Sequence, residues 1–143
     1  MRLKIAAALC GTSMLVPLAF AGTTQPAPII VDLDANFAQG DLLTARDAKS
    51  DDVFIGCGTR TFDDGVGGTF EFGFCQAQDE NANRGFCNTS NPGLTEAMGR
   101  LDGTSFVTFS WDPNTGECTR VGSSTQSFYL DKHSKGNQKG NER

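Results

Sequence analysis

Alternation of apolar and polar positions is the main signal along this chain. From Thr69 to Gln78 the residues read TFEFGFCQAQ. A period of two puts Phe70, Phe72 and Phe74 on one face and Glu71, Gly73 and Cys75 on the other, which predicts a strand. Val53 to Phe62 alternates in the same way, and the glycines Gly56 and Gly58 within it allow another backbone or ring to approach closely. Asp63 to Gly68, DDGVGG, is a turn between these two runs. Upstream, Asp41 to Arg46 and the Val53 run flank DAKSDD, which predicts a hairpin with an acidic turn. Downstream, Asp79 to Gly85 is a polar loop. Ser105 to Trp111 and Cys118 to Ser123 are predicted to form a second hairpin around Asp112 to Gly116, DPNTG. Ile29 to Leu33 reads as a strand or extended arm, and Ser127 to Leu130 as a last short strand.

One stretch has helical spacing. Leu94, Ala97, Met98 and Leu101 fall at i, i+3, i+4 and i+7, with Asn91 as N-cap, Pro92 at the first helical position and Gly103 as the stop. The expected fold is therefore α+β: a small antiparallel sheet of five or six strands, one amphipathic helix packed on it, and two disulfides. The phenylalanine face is expected to be core beneath that helix.

The ends read differently. Met1 to Ala21 has a basic start at Arg2 and Lys4, an apolar middle, and Ala19-Phe20-Ala21 as a small-x-small cleavage site, which is the make-up of a secretory signal peptide. Residues 22–39 read as a flexible leader or extended arm, residues 40–131 as the disulfide-stapled domain, and residues 132–143 as a disordered basic tail. Export to the periplasm or the medium follows from the signal. No apolar stretch is long enough for a membrane span.

Loss of the signal removes Cys10 and leaves Cys57, Cys75, Cys87 and Cys118, an even set that reads as two disulfides in an exported chain. The favoured pairing is Cys75–Cys87, which closes the polar loop, with Cys57–Cys118. The pairing Cys57–Cys75 with Cys87–Cys118 stays open.

Charge narrows the partners. The whole chain carries a formal −5, and residues 22–131 hold six basic against sixteen acidic side chains, a net −10. No lysine stands between Lys49 and Lys132. Such a body repels phosphates, which disfavours nucleic acid and anionic membrane surfaces.

The set IGC, FCQAQD, FCNTSNPGL, SFVTFSWD and ECTRV, over about Gly40 to Leu130, resembles a group of small exported bacterial four-cysteine proteins. The resemblance implies an exported bacterial protein. It implies no activity, so no functional residue comes with it.

Candidate chemistry is sparse. The sole histidine, His133, lies in the tail, so the body has no serine–histidine or cysteine–histidine pair. Asp63, Asp64, Glu71, Asp79 and Glu80 are the carboxylates open to hydrolytic work, with Glu71 in mid-strand, where a solvent-facing edge or a partner such as Arg60 or Arg120 is the plainer account. Asp79, Asn81 and Asn83 repeat the first half of a calcium loop, but Arg84 stands where the glycine belongs and Ser90 where the bidentate glutamate belongs. A turn held by its own side-chain bonds is the plainer account. Phe70, Phe72 and Phe74, with Trp111, form the candidate binding surface if they are exposed.

The expectation is a monomeric exported module that acts by binding a protein or a glycan, with an inhibitor-like role for the loop Asp79 to Phe86 as a special case. No cofactor is expected apart from the calcium option. The alternatives are a small carboxylate-dependent envelope hydrolase and a calcium-stabilised structural protein.

Overall fold

The computed structural model describes residues 24–103 and 105–130. The expected signal segment, Cys10, the expected basic tail and His133 lie outside the described residues. The elements are β1 (Ile30–Asp32), β2 (Phe37–Asp41), α1 (Leu42–Arg46), β3 (Phe54–Asp63), β4 (Thr69–Gln78), β5 (Arg84–Thr89), α2 (Pro92–Gly99), β6 (Phe106–Trp111) and β7 (Cys118–Ser124), followed by a 3₁₀ turn at Ser127–Tyr129.

The α+β content and the two disulfides are as expected, but the single sheet is not. The strands form two antiparallel sheets, β1-β2-β6-β7 and β3-β4-β5. Their inner faces share one core, with Val31, Ala38, Val107 and Phe109 from the first sheet and Ile55, Cys75, Ala77 and Cys87 from the second. Alternation within each strand is why both sheets have one apolar inner face.

Two local expectations change. Asp41 to Arg46 is not a hairpin strand. The Asp41 carboxylate accepts from the Thr44 backbone N–H at 2.7 Å and from the Thr44 hydroxyl at 2.6 Å, which caps α1. The same buried carboxylate accepts from Ala27 N–H at 2.6 Å and so ties the leader to the helix start. Ser127–Tyr129 is a 3₁₀ turn rather than a strand; Tyr129 stacks on Phe106 at 5.5 Å.

The disulfides are Cys57–Cys75 and Cys87–Cys118, not the favoured pairing. Cys57 and Cys75 are direct partners across β3–β4, with Cα atoms 4.0 Å apart, the narrow kind of antiparallel pair. Cys87–Cys118 joins β5 to β7 and so links the two sheets. Chain entropy gives about 3 kcal/mol for the loop closed by the first and about 4 kcal/mol for the longer loop closed by the second. Around the second bond, Asn88 N–H donates to Gly116 C=O at 3.1 Å and the Thr89 hydroxyl to Glu117 at 2.6 Å.

Helix α2 starts where the spacing placed it but ends at Gly99, before Leu101 and Gly103. Asn91 caps it through Gly93 N–H at 2.9 Å, and Pro92 begins it. It packs on the inner face of the second sheet, where Gly73 leaves room for the thioether of Met98. Gly85 has a similar task at the inter-sheet contact, because a Cβ there would lie 2.9 Å from the Trp111 ring.

Peptide mapping of the oxidised protein without reductant is expected to give fragments joining Cys57 to Cys75 and Cys87 to Cys118. A Cys75–Cys87 fragment would contradict this pairing. Gly85→Ala is expected to lower unfolding free energy by about 1–3 kcal/mol, read by urea titration, since the indole must move aside.

Candidate functional site

The β3–β4 hairpin is ten residue pairs long, but β5 pairs only with its lower part, from Gly73 to Gln78. From Arg60 to Phe72 the hairpin is a two-stranded arm with no third strand among the described residues. Such a ribbon is marginal in water unless its side chains support it.

Phenylalanines supply that support on one side. Register puts Phe62 opposite Phe70, Arg60 opposite Phe72, and Gly58 opposite Phe74. Phe62 stacks on Phe70 with centroids 5.2 Å apart and on Phe72 at 5.8 Å, and Phe72 meets Phe74 at 6.3 Å. The Arg60 guanidinium lies 5.0 Å from the centroid of Phe74, a cation–π contact. Cross-strand aromatic pairs of this kind contribute roughly 0.2–1 kcal/mol each.

This face is not core. Gly73 and Cys75, on the opposite face, are the buried ones, and α2 covers that side. Phe62 is 44 % exposed, Phe70 55 % and Phe86, on the same outer face of β5, 54 %. Phe72 and Phe74 are half-buried by their neighbours. Among the described phenylalanines only Phe109 is fully buried. The expectation that Phe70, Phe72 and Phe74 lie under the helix is therefore corrected. The residues that α2 needs beneath it are the small ones, Gly73 above all.

Trp111 does not join this surface. It sits between the sheets, against Phe109 at 5.8 Å and the backbone of Gly85. Sequence reasoning missed Phe62 and Phe86 as members of the outer face. The alternation of β3, in which Phe62 shares a face with Arg60 and Gly58, carried the signal for the first.

The opposite face of the arm is polar and acidic. Asp63 and Glu71 project there with Thr59, Thr61 and Thr69. The Thr61 hydroxyl donates to Glu71 at 3.2 Å, so neither Arg60 nor Arg120 is the partner expected for that carboxylate. Arg120 instead donates to the Thr108 hydroxyl at 3.3 Å. At the tip, N–H groups of Val66 and Gly68 donate to Asp64 and hold its carboxyl below the usual range.

Asp79, Asn81 and Asn83 form the β4–β5 turn. Asp79 accepts from Asn81 N–H at 2.9 Å, Asn83 N–H at 3.0 Å, the Asn83 side-chain amide at 3.0 Å and Val31 N–H at 3.4 Å. Burial works against its charge, but the bonds from the Asn83 side chain and from the three backbone donors outweigh burial and lower its pKa. Both carboxylate oxygens are thus engaged by N–H donors. A calcium ion at this turn would have to displace them. The turn also holds Ala82 at φ 62°, where glycine is the usual residue. Without a Cys75–Cys87 bond, the loop Asp79 to Phe86 is fixed by this carboxylate rather than clamped by a disulfide.

A cleft of about 590 Å³ opens beside the turn. The leader (Pro26, Pro28, Ile30), the end of α1 with Asp47 and Lys49, and Asp79 and Glu80 line it. Asp63, Asp64 and Glu71 lie on the arm and do not line this cleft. Among the described residues, Cys75, Cys87 and Cys118 form a group whose sulfurs lie within 4.8 Å of one another, and all three are in disulfides. No helix of the described residues is long and apolar enough to cross a membrane. Comparison of the chain with family models, curated proteins and solved structures gives no match.

Asp79→Asn is expected to lower stability at neutral pH by about 1–2 kcal/mol, since four N–H groups lose a charged acceptor. A carboxyl with a depressed folded pKa stabilises the fold above its unfolded value, near 3.8, and that contribution fades as pH falls through the lower folded value. The gap between the two proteins should therefore be full at pH 7 and narrow below pH 3.8, measured by urea titration.

Proposed function

We propose that this is an exported, non-enzymatic binding module that holds a partner protein on the open phenylalanine face of the β3–β4 arm. The observation that carries the reading is the position of Phe62 and Phe70. They are stacked, exposed and turned away from the core, on a face of the arm that no described element covers. Large apolar side chains grouped on a surface mark interaction sites. Two disulfides fit an oxidising compartment, which supports the export suggested by the signal pattern of Met1 to Ala21. The acidic body favours a basic partner. Hydrolysis by Glu71 draws less support, because that residue is exposed on the arm and does not line the cleft.

The test is affinity capture from envelope and culture-supernatant extract of the source cells, with the oxidised wild-type protein and with the double variant Phe62→Ser/Phe70→Ser. One protein retained at near-equal amount by the wild type and lost with the variant is the expected result. Equal retention by both, with the variant folded, would turn attention from the arm to the cleft.

A further inference from the structure

The same arm presents a free sheet edge as well as an aromatic face, and the two together specify a partner. Sheet order places β3 at the edge of β3-β4-β5. Two observations fix which backbone groups point out of that edge. Asp64 N–H donates to Gly68 C=O at 3.0 Å, so the pair 64/68 is hydrogen-bonded across the hairpin. Counting by two, Phe62, Arg60 and Gly58 also bond to β4. The narrow Cys57–Cys75 pair has the opposite parity, as a non-hydrogen-bonded pair should. The N–H and C=O groups of Thr59, Thr61 and Asp63 therefore face away from β4. Consistent with this, the Thr59 carbonyl accepts from the Arg60 side chain at 3.0 Å.

The two faces beside this edge differ in chemistry. Next to Phe62 and Arg60 lies the phenylalanine stack. Gly58 leaves the ring of Phe74 open to that side, 3.5 Å from where its own Cβ would stand. Beside Thr59, Thr61 and Asp63 the surface is acidic, with Glu71 one strand further in. No basic residue of the arm projects from this second face, because Arg60 lies over Phe74 on the first.

We infer that the arm binds an extended segment of a partner protein as an added antiparallel strand on β3, and that this segment alternates apolar and basic residues. The inference rests on the binding-module reading and names the partner's chemistry. Apolar side chains of the segment lie opposite Arg60 and Phe62 and extend the aromatic face. Lysine or arginine side chains lie opposite Thr59, Thr61 and Asp63 and meet Asp63 and Glu71. Main-chain bonds to the outward groups of β3 supply affinity, and the two faces supply the pattern. The added strand displaces Arg60 from the Thr59 carbonyl.

The probe is a capped heptapeptide of alternating valine and lysine, titrated by calorimetry or fluorescence anisotropy into the oxidised full-length protein. In an antiparallel pairing the lysines stand opposite Thr59, Thr61 and Asp63 and turn their N–H groups toward β3, while the valine N–H groups face solvent. Methylating the lysine backbone nitrogens is expected to weaken binding by about tenfold or more, and methylating those of valine to leave it nearly unchanged. Thr61→Pro removes an N–H that β4 does not use, so it should weaken the parent peptide about tenfold while the melting temperature stays near that of the wild type. Failure of the parent peptide to bind, or equal effects of the two methylation patterns, overturns the added strand. If capture of a natural partner still depends on Phe62 and Phe70 in that case, the aromatic face survives without the edge. If capture is also indifferent to them, both readings fall.

Discussion

The structure depends on a row of cysteines that runs across three strands and into a fourth. Cys57, Cys75 and Cys87 stand side by side on β3, β4 and β5, and Cys118 completes the row from β7. Cys75 is placed between two possible partners and is bonded to one of them. That choice ties the hairpin to itself at its midpoint and frees Cys87 to fasten the second sheet to the first. A Cys75–Cys87 bond would have left the link to Cys118 to Cys57, on β3 at the other edge of the second sheet. Below the row the inner face is filled by Ile55, Ala77 and the neighbouring sheet. Past Gly73, where Met98 packs, the described part of the arm is exposed.

The consequence is a molecule with its large rings outside and small residues within. Ala38, Ala45, Ala77, two disulfides, Val107 and one phenylalanine make much of the core. Glycines at Gly73 and Gly85 let α2 and Trp111 come close to the second sheet. The other rings are spent on the arm, on the Phe106–Tyr129 stack and on half-covered strand faces. For a chain of this size, cross-links take over part of what a larger apolar core would otherwise do.

Much of this was legible in the sequence. Period-two runs located β3, β4, β6 and β7, the helical stripe located α2, and Asn91-Pro92 gave its start. The division into two sheets was not legible, because alternation says which residues share a face and not which strands lie side by side. The disulfide pairing was missed for a related reason. Cys57 and Cys75 become direct partners only once the turn Asp63–Gly68 sets the hairpin register, and loop length alone pointed elsewhere. Helix α1 was misread because Asp41 and Thr44, within the run Asp41 to Arg46, read as strand residues, whereas their side chains build a cap. The phenylalanine face was assigned to the core because large rings usually go inside. Counting volume would have warned against it, since a core that also holds Gly73 and Cys75 under α2 lies on the other side of β4.

An arm that stands clear of the core is also a separate unit of stability. Its backbone bonds can open without disturbing the cystine row, so amide protection should decline along β3 and β4 from Cys57 and Cys75 toward Val66. A ligand that requires the closed ribbon must first stiffen it, and part of the contact energy is used in doing so. The Phe62–Phe70–Phe72 stack lowers that requirement by keeping the ribbon paired before anything arrives. The rings thus set how ready the arm is, as well as what it touches.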